Sequence, residues 1–273
     1  MQDHYLSVDG AKVRYLEEGT GPALLFIHGF GVTAETWRHN IPALSSKFRV
    51  LAPDLIGHGK SDRPEAAPYS IRYYAESLQS FLKLLDVRDY IALGHSMGGL
   101  IAIRLALEDA GSNMKALILE DSAGLGGGPS FSTRMAFLSY LLRMNLLGPS
   151  EKRVRGWLKK SFYSDPSKIS DDAVKRALES WSDAEYRRIQ RKTAMGLRKD
   201  ERGTSRFIDE ISVPTLIIWG EKDMQIPAKV AYRAAERIKN CRVEVIPNCG
   251  HAPHGECSEE FNSRVLAFLH GIS

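Results

Sequence analysis

The 273-residue chain is 43% hydrophobic and 26% charged, an ordinary globular composition that can bury one large core carrying an inserted subdomain. No run approaches the roughly 20 apolar residues that cross a bilayer, and the start lacks the basic and apolar regions of a secretory leader, so a soluble, cytoplasmic protein without stable membrane insertion is expected. The net charge of +4 is concentrated in residues 151–206, with 16 Lys and Arg against 9 Asp and Glu; without interleaved aromatics this reads as solvated helix faces or an attraction to acidic or lipid-surface substrates, and no nucleic-acid partner is expected.

In chain order, residues 5–8 and 12–17 flank Asp9-Gly10, a hairpin turn signal. Nearly continuous apolar runs follow at 23–27, 49–52, 90–93, 115–119, 215–219 and 243–246, the pattern of strands covered on both faces. Between them, 70–85, 97–108, 228–238 and 256–270 place apolar residues at three- and four-residue steps, as core-facing helices do, with Pro227 at the start of one. This alternation predicts an α/β protein with a mostly parallel, doubly wound sheet.

The alternation breaks once, from 124 to 206, where the pattern is helical and polar. A helical cap over 124–206, inserted into a core made of 1–123 and 207–273, is the expectation. Gly124-Leu125-Gly126-Gly127-Gly128-Pro129 reads as its hinge. The first cap helix, expected over 133–147, carries Phe137 and Leu141 among apolar residues that either line an acyl pocket or pack the cap on the sheet. Cys241, Cys249 and Cys257 lack paired metal-site spacing. Free thiols are expected, although the eight-residue step leaves a bridge open.

Gly94-His95-Ser96-Met97-Gly98-Gly99 follows a strand and opens a helix, the context of a nucleophile elbow. So tight a turn demands very small residues two before and two after the serine, here Gly94 and Gly98. A serine hydroxyl needs a base, and the base needs an acid to hold its tautomer. His251, in the loop after the last strand, is the expected base, with His254 as its neighbour and competitor. Asp223, after the strand at 215–219, is the expected acid, and Asp121, after the strand at 115–119, reaches the same sheet edge. Backbone amides of Phe30 and Met97 are the expected oxyanion donors, while Gly29 and His95 are expected near the substrate.

These motifs together resemble the α/β-hydrolase superfamily over nearly the whole chain. His28-Gly29-Phe30-Gly31 resembles its oxyanion loop, and Asp54-Leu55-Ile56-Gly57-His58-Gly59-Lys60-Ser61-Asp62 its D-x-x-G-x-G-x-S block. Gly94 to Gly99 is similar to its elbow, Gly220-Glu221-Lys222-Asp223 to its acid loop and Gly250-His251 to its base loop. The resemblance implies a serine esterase acting on a small-molecule ester with neither metal nor organic cofactor, and it leaves oligomeric state open. Dehalogenases and epoxide hydrolases of this superfamily place Asp where Ser96 stands. Meta-cleavage C–C hydrolases, the alternative, typically carry Asn in place of His95, Trp in place of Ala252 and a Gly-Pro-Gly oxyanion loop. Hormone receptors of the same fold keep the triad but usually lack the glycine at position 99.

Overall fold

The computed structural model of the chain describes residues 2–109, 113–127 and 131–271. Its eight strands are β1 (Gln2–Val8), β2 (Ala11–Glu18), β3 (Ala23–Ile27), β4 (Arg49–Pro53), β5 (Tyr90–His95), β6 (Met114–Glu120), β7 (Thr215–Gly220) and β8 (Cys241–Ile246). The helices are α1 (Ile41–Leu44), α2 (Ile71–Leu84), α3 (Met97–Glu108), α4 (Phe131–Leu146), α5 (Glu151–Ser161), α6 (Asp171–Ser182), α7 (Ala184–Thr204), α8 (Lys229–Ala235), α9 (Pro253–Glu256) and α10 (Ser258–His270).

All eight strands join one sheet in the order β1-β2-β4-β3-β5-β6-β7-β8. The β1–β2 and β2–β4 pairs are antiparallel and the other five are parallel. The predicted hairpin pairs Val8 with Ala11 across Asp9-Gly10.

Strand β3 shows why unbroken apolar runs are required. Successive side chains point to opposite faces, so Leu25 and Ile27 join a core with Tyr74, Ile101 and Ala231 from α2, α3 and α8. Leu24 and Phe26 join a second core on the other face, with Trp37, Ile41 of α1 and Phe261 of α10. Helices on both faces make the sheet doubly wound, as predicted.

Two helices depart from expectation. The one predicted over 228–238 is shorter, because Pro227 lies in a preceding turn in which its carbonyl accepts the amide of Val230 at 2.9 Å. The one predicted over 256–270 is split into α9 and α10 at Cys257, whose non-helical backbone (φ −130°, ψ 44°) interrupts the run. The break turns Glu256 inward, where it is buried. Between β6 and β7 the described residues form α4 to α7, and among them there is no strand. Ser150 and Ser170 cap α5 and α6 by accepting the amides of Arg153 and Ala173. Trp157, Trp181, Tyr186 and Ile189 carry this segment into the same core as β3. Gly128 and Pro129, predicted in the hinge, lie outside the described residues.

Candidate active site

The turn from β5 into α3 holds Ser96 at φ 53° and ψ −113°, a conformation that L-residues adopt rarely. It persists because the surroundings fix it. The Ser96 amide donates to Glu120 O at 2.9 Å, and its carbonyl accepts from Gly99 and Ala123 at 3.1 Å each. A Cβ on Gly94 would run into the carbonyl of Gly98, and one on Gly98 into that of Ile27. Gly98→Ala should therefore cost roughly 1–3 kcal/mol by overpacking, a fall of about 3–10 °C in Tm for a chain of this size. Calorimetry showing an unchanged Tm would contradict the packing argument.

Three side chains distant in sequence meet at the carboxyl edge of the sheet. His251 Nδ1 lies 2.7 Å from Asp223 Oδ2, and His251 Nε2 lies 3.0 Å from Ser96 Oγ. A carboxylate only accepts, so Nδ1 carries the proton and, in the neutral ring, Nε2 is left to accept the serine O–H. The other oxygen of Asp223 takes the amides of Gln225 at 2.7 Å and Ile226 at 3.0 Å, which locks the carboxylate in place.

Asp121, the rival acid, lies behind this relay. Its Oδ1 accepts the Gly220 amide at 2.9 Å, and its Oδ2 is buried without a hydrogen-bond partner. Burial, then the nearby Asp223 carboxylate, push its carboxyl well above the usual range, which favours its neutral form. Asp121, Asp223 and His251 bring one potential ligand atom each within 4.8 Å of one another, but Nδ1 and Oδ2 are already joined by their own hydrogen bond.

His254 belongs to a second relay. Its Nδ1 lies 2.8 Å from Glu120 Oε1 and its Nε2 2.7 Å from Thr36 Oγ1. By the same tautomer argument, Thr36 donates its hydroxyl proton to His254. His95, expected near substrate, is fully buried, and its Nε2 donates to the His251 carbonyl at 2.7 Å, so it supports the base loop from below. Burial and the neighbouring His254 and His251 push His95 well below the ordinary imidazole range, which keeps it neutral.

The loop after β3 is fixed by residues that motif reading left without a role. Leu55 N donates to His28 Nε2 at 3.0 Å, so the proton of this buried, neutral ring sits on Nδ1 and is donated to Gly29 O at 2.8 Å. Gly29 C=O and Phe30 N–H belong to one trans peptide and point in opposite directions; holding the first therefore aims the second. Asp54 clamps the loop further on, with Oδ1 accepting the Ala34 amide at 2.8 Å and Oδ2 the Lys60 amide at 3.0 Å. Gly29 and Phe30 are both buried here, as is Met97 at the start of α3.

Glu256 was not singled out from sequence, where it reads as the first residue of the core-facing helix expected over 256–270. Its carboxylate accepts from Gly250 N at 2.6 Å, Asp165 N at 2.7 Å and Ser164 Oγ at 2.8 Å, tying the His251 loop to the segment between β6 and β7. In that segment Phe162 packs edge-on to His251 with ring centroids 5.7 Å apart, and Trp157 and Trp181 stand over Gly31. The side chains of Phe137 and Leu141, expected at the substrate, lie outside the described residues.

Among the described residues, no helix is long and apolar enough to cross a membrane. A family model described as alpha/beta hydrolase fold matches residues 22–256. The chain is 29% identical over 275 residues to the 2-hydroxy-6-oxo-6-(2'-aminophenyl)hexa-2,4-dienoic acid hydrolase of Metapseudomonas resinovorans, covering 98% of this chain and 90% of that one. It is similar to the crystal structure of a membrane phospholipase A (TM-score 0.88, 26% identity, 99% of this chain and 86% of that one). It is also similar to a meta-cleavage product hydrolase from Pseudomonas fluorescens IP01 (TM-score 0.84, 26% identity, 99% and 98%). With the model match spanning most of its length, the chain belongs to the α/β hydrolase fold family.

Proposed function

We propose that this protein is a serine hydrolase that cleaves carboxylic esters through an acyl-enzyme on Ser96. The observation that carries the reading is the continuous relay from Asp223 Oδ2 through His251 to Ser96 Oγ, at 2.7 and 3.0 Å. Ser96 Oγ attacks the ester carbonyl while His251 Nε2 takes its proton, and Asp223 steadies the imidazolium. The tetrahedral oxyanion is held by the amides of Phe30 and Met97. His251 then protonates the leaving alcohol, and water reverses the sequence to release the acid. The relay activates the serine without any cofactor.

In this reading residues 124–206 act as a cap over the core of 1–123 and 207–273. The aromatic contacts of Trp157, Trp181 and Phe162 beside the site support that arrangement. With p-nitrophenyl butyrate, we expect a burst of p-nitrophenol followed by turnover in the ordinary range of about 1–1000 per second, together with a butyryl group on the peptide containing Ser96. Mass spectrometry showing no acylated Ser96 during turnover would defeat the proposal.

A second reading, C–C bond hydrolysis, is favoured by the two similar hydrolases of that type. The same relay would then act on a ketone. Comparing kcat/KM for p-nitrophenyl butyrate with that for 2-hydroxy-6-oxo-6-(2'-aminophenyl)hexa-2,4-dienoic acid, followed by the loss of its visible absorbance, separates the two: the larger value identifies the chemistry.

A further inference from the structure

Beside the relay lies a cavity of about 140 Å³, walled by the loop after β3 and by α5 and α6. On this measure about 10–15 Å³ holds one water, so the space accommodates a small organic group. It begins one residue beyond the proposed machinery on two sides, since Gly31 follows Phe30 and Ala252 follows His251, and both line it. Its lining includes Arg38, Lys168 and Arg176 and, among the described residues, no Asp or Glu.

The charges at its rim are unbalanced. Arg38 and Arg176 both bind a single carboxylate, Asp172 Oδ2. Lys168 spends its ammonium on the backbone carbonyl of Glu256 at 3.0 Å. Lys168 also lies within electrostatic reach of Asp165, so the imbalance rests on the two guanidinium groups that share Asp172. The two guanidinium groups are only 21% and 28% exposed, against 60% for Asp172. Guanidinium groups at that depth bind a carboxylate more strongly than surface pairs do, because less water screens them. Asp172, held from the solvent side, occupies the place that a carboxylate entering from the cavity would share or take.

We propose that this cavity is an anionic subsite: the substrate carries a carboxylate remote from its scissile bond, and Arg38 and Arg176 bind it in competition with Asp172. The proposal rests on the serine-hydrolase reading only for its position relative to Ser96. It predicts opposite effects from removing opposite charges. A latch that merely holds α6 to the β3 loop would instead be weakened alike by either change and would not affect substrate choice.

The test measures kcat/KM for monoethyl adipate and for its neutral counterpart, ethyl hexanoate, in the wild type, Arg176→Gln and Asp172→Asn. The ratio of anionic to neutral ester should fall about tenfold in Arg176→Gln, the loss expected for one charge-assisted contact, and should rise in Asp172→Asn. In the wild type the ratio should also fall as ionic strength rises from about 0.01 to 1 M, which shortens the screening length from roughly 30 to 3 Å; this arm needs no variant to fold. A ratio that ignores salt and moves in neither variant, or moves the same way in both, overturns the subsite. Calorimetric binding of adipate to the Ser96→Ala protein keeps the two readings apart. If neither ester is hydrolysed by the wild type but adipate binds and Arg176→Gln weakens it, the hydrolase reading falls and the subsite stands. Absence of adipate binding removes the subsite whatever the esters do.

Discussion

Ser96→Ala is expected to lower kcat for ester hydrolysis by on the order of 10⁵- to 10⁶-fold while leaving the fold intact. Removing Oγ takes away the hydroxyl that His251 Nε2 meets at 3.0 Å. With no nucleophile to deprotonate, the base and acid become idle together, which is why triad deletions are not additive. In the proposed mechanism what remains is substrate orientation and the amides of Phe30 and Met97, worth on the order of 10³–10⁴ over water in comparable enzymes. Single-turnover kinetics on purified Ser96→Ala decide the matter. Activity within tenfold of the wild type would remove Ser96 from the mechanism.

Asp223→Asn and Asp121→Asn should behave very differently, although both carboxylates sit beside His251. Asn at 223 would offer an amide in place of the oxygen that accepts His251 Nδ1–H at 2.7 Å. The ring would turn over to the wrong tautomer, at a cost on the order of 10⁴ in kcat. Burial and Asp223 push the Asp121 carboxyl well above its usual range, and Asn resembles the neutral form this favours while keeping an oxygen for the Gly220 amide. Asp121→Asn should therefore cost less than about tenfold in kcat, a small fraction of the loss expected for a triad member.

Stability gives a second readout. Asp121 binds its proton more tightly in the folded chain than in the unfolded one, whose value lies near 3.9. Folding stability contributed at this site is thus present below that value and lost as pH rises towards the folded one. Asp121→Asn removes the loss, so its Tm relative to wild type should climb as pH rises above about 4. Equal losses of activity in the two variants would mean that the acid role is shared.

The sheet was legible because parallel strands covered on both faces need continuous apolar runs, and each of the six runs became a strand. The elbow was legible for a similar reason: Gly94 and Gly98 are demanded by backbone contacts within a few residues and across to Ile27. Loop position and chain order were enough to prefer His251 over His254 and Asp223 over Asp121, but not to assign the rivals their own partners. Each pair occupies one loop or one sheet edge, and only the final direction of a side chain sends His254 to Glu120 and His251 to Asp223. Thr36 meets His254 across 218 positions, and Asp165 meets Glu256 across 91. Contacts at that range leave no periodic or local mark in the chain.

The Glu256 carboxylate grips the base loop through Gly250 and the helical segment through Ser164 and Asp165 at the same time. Any excursion that lifts the region around Ser164 off the sheet must strip partners from a buried anion that also steadies the peptide just before His251. Parting that seam would leave the carboxylate with Gly250 alone, so the base loop would stay moored by His95 and Asp223 while giving up its tie to the helical segment: an opening there loosens the imidazole without releasing it.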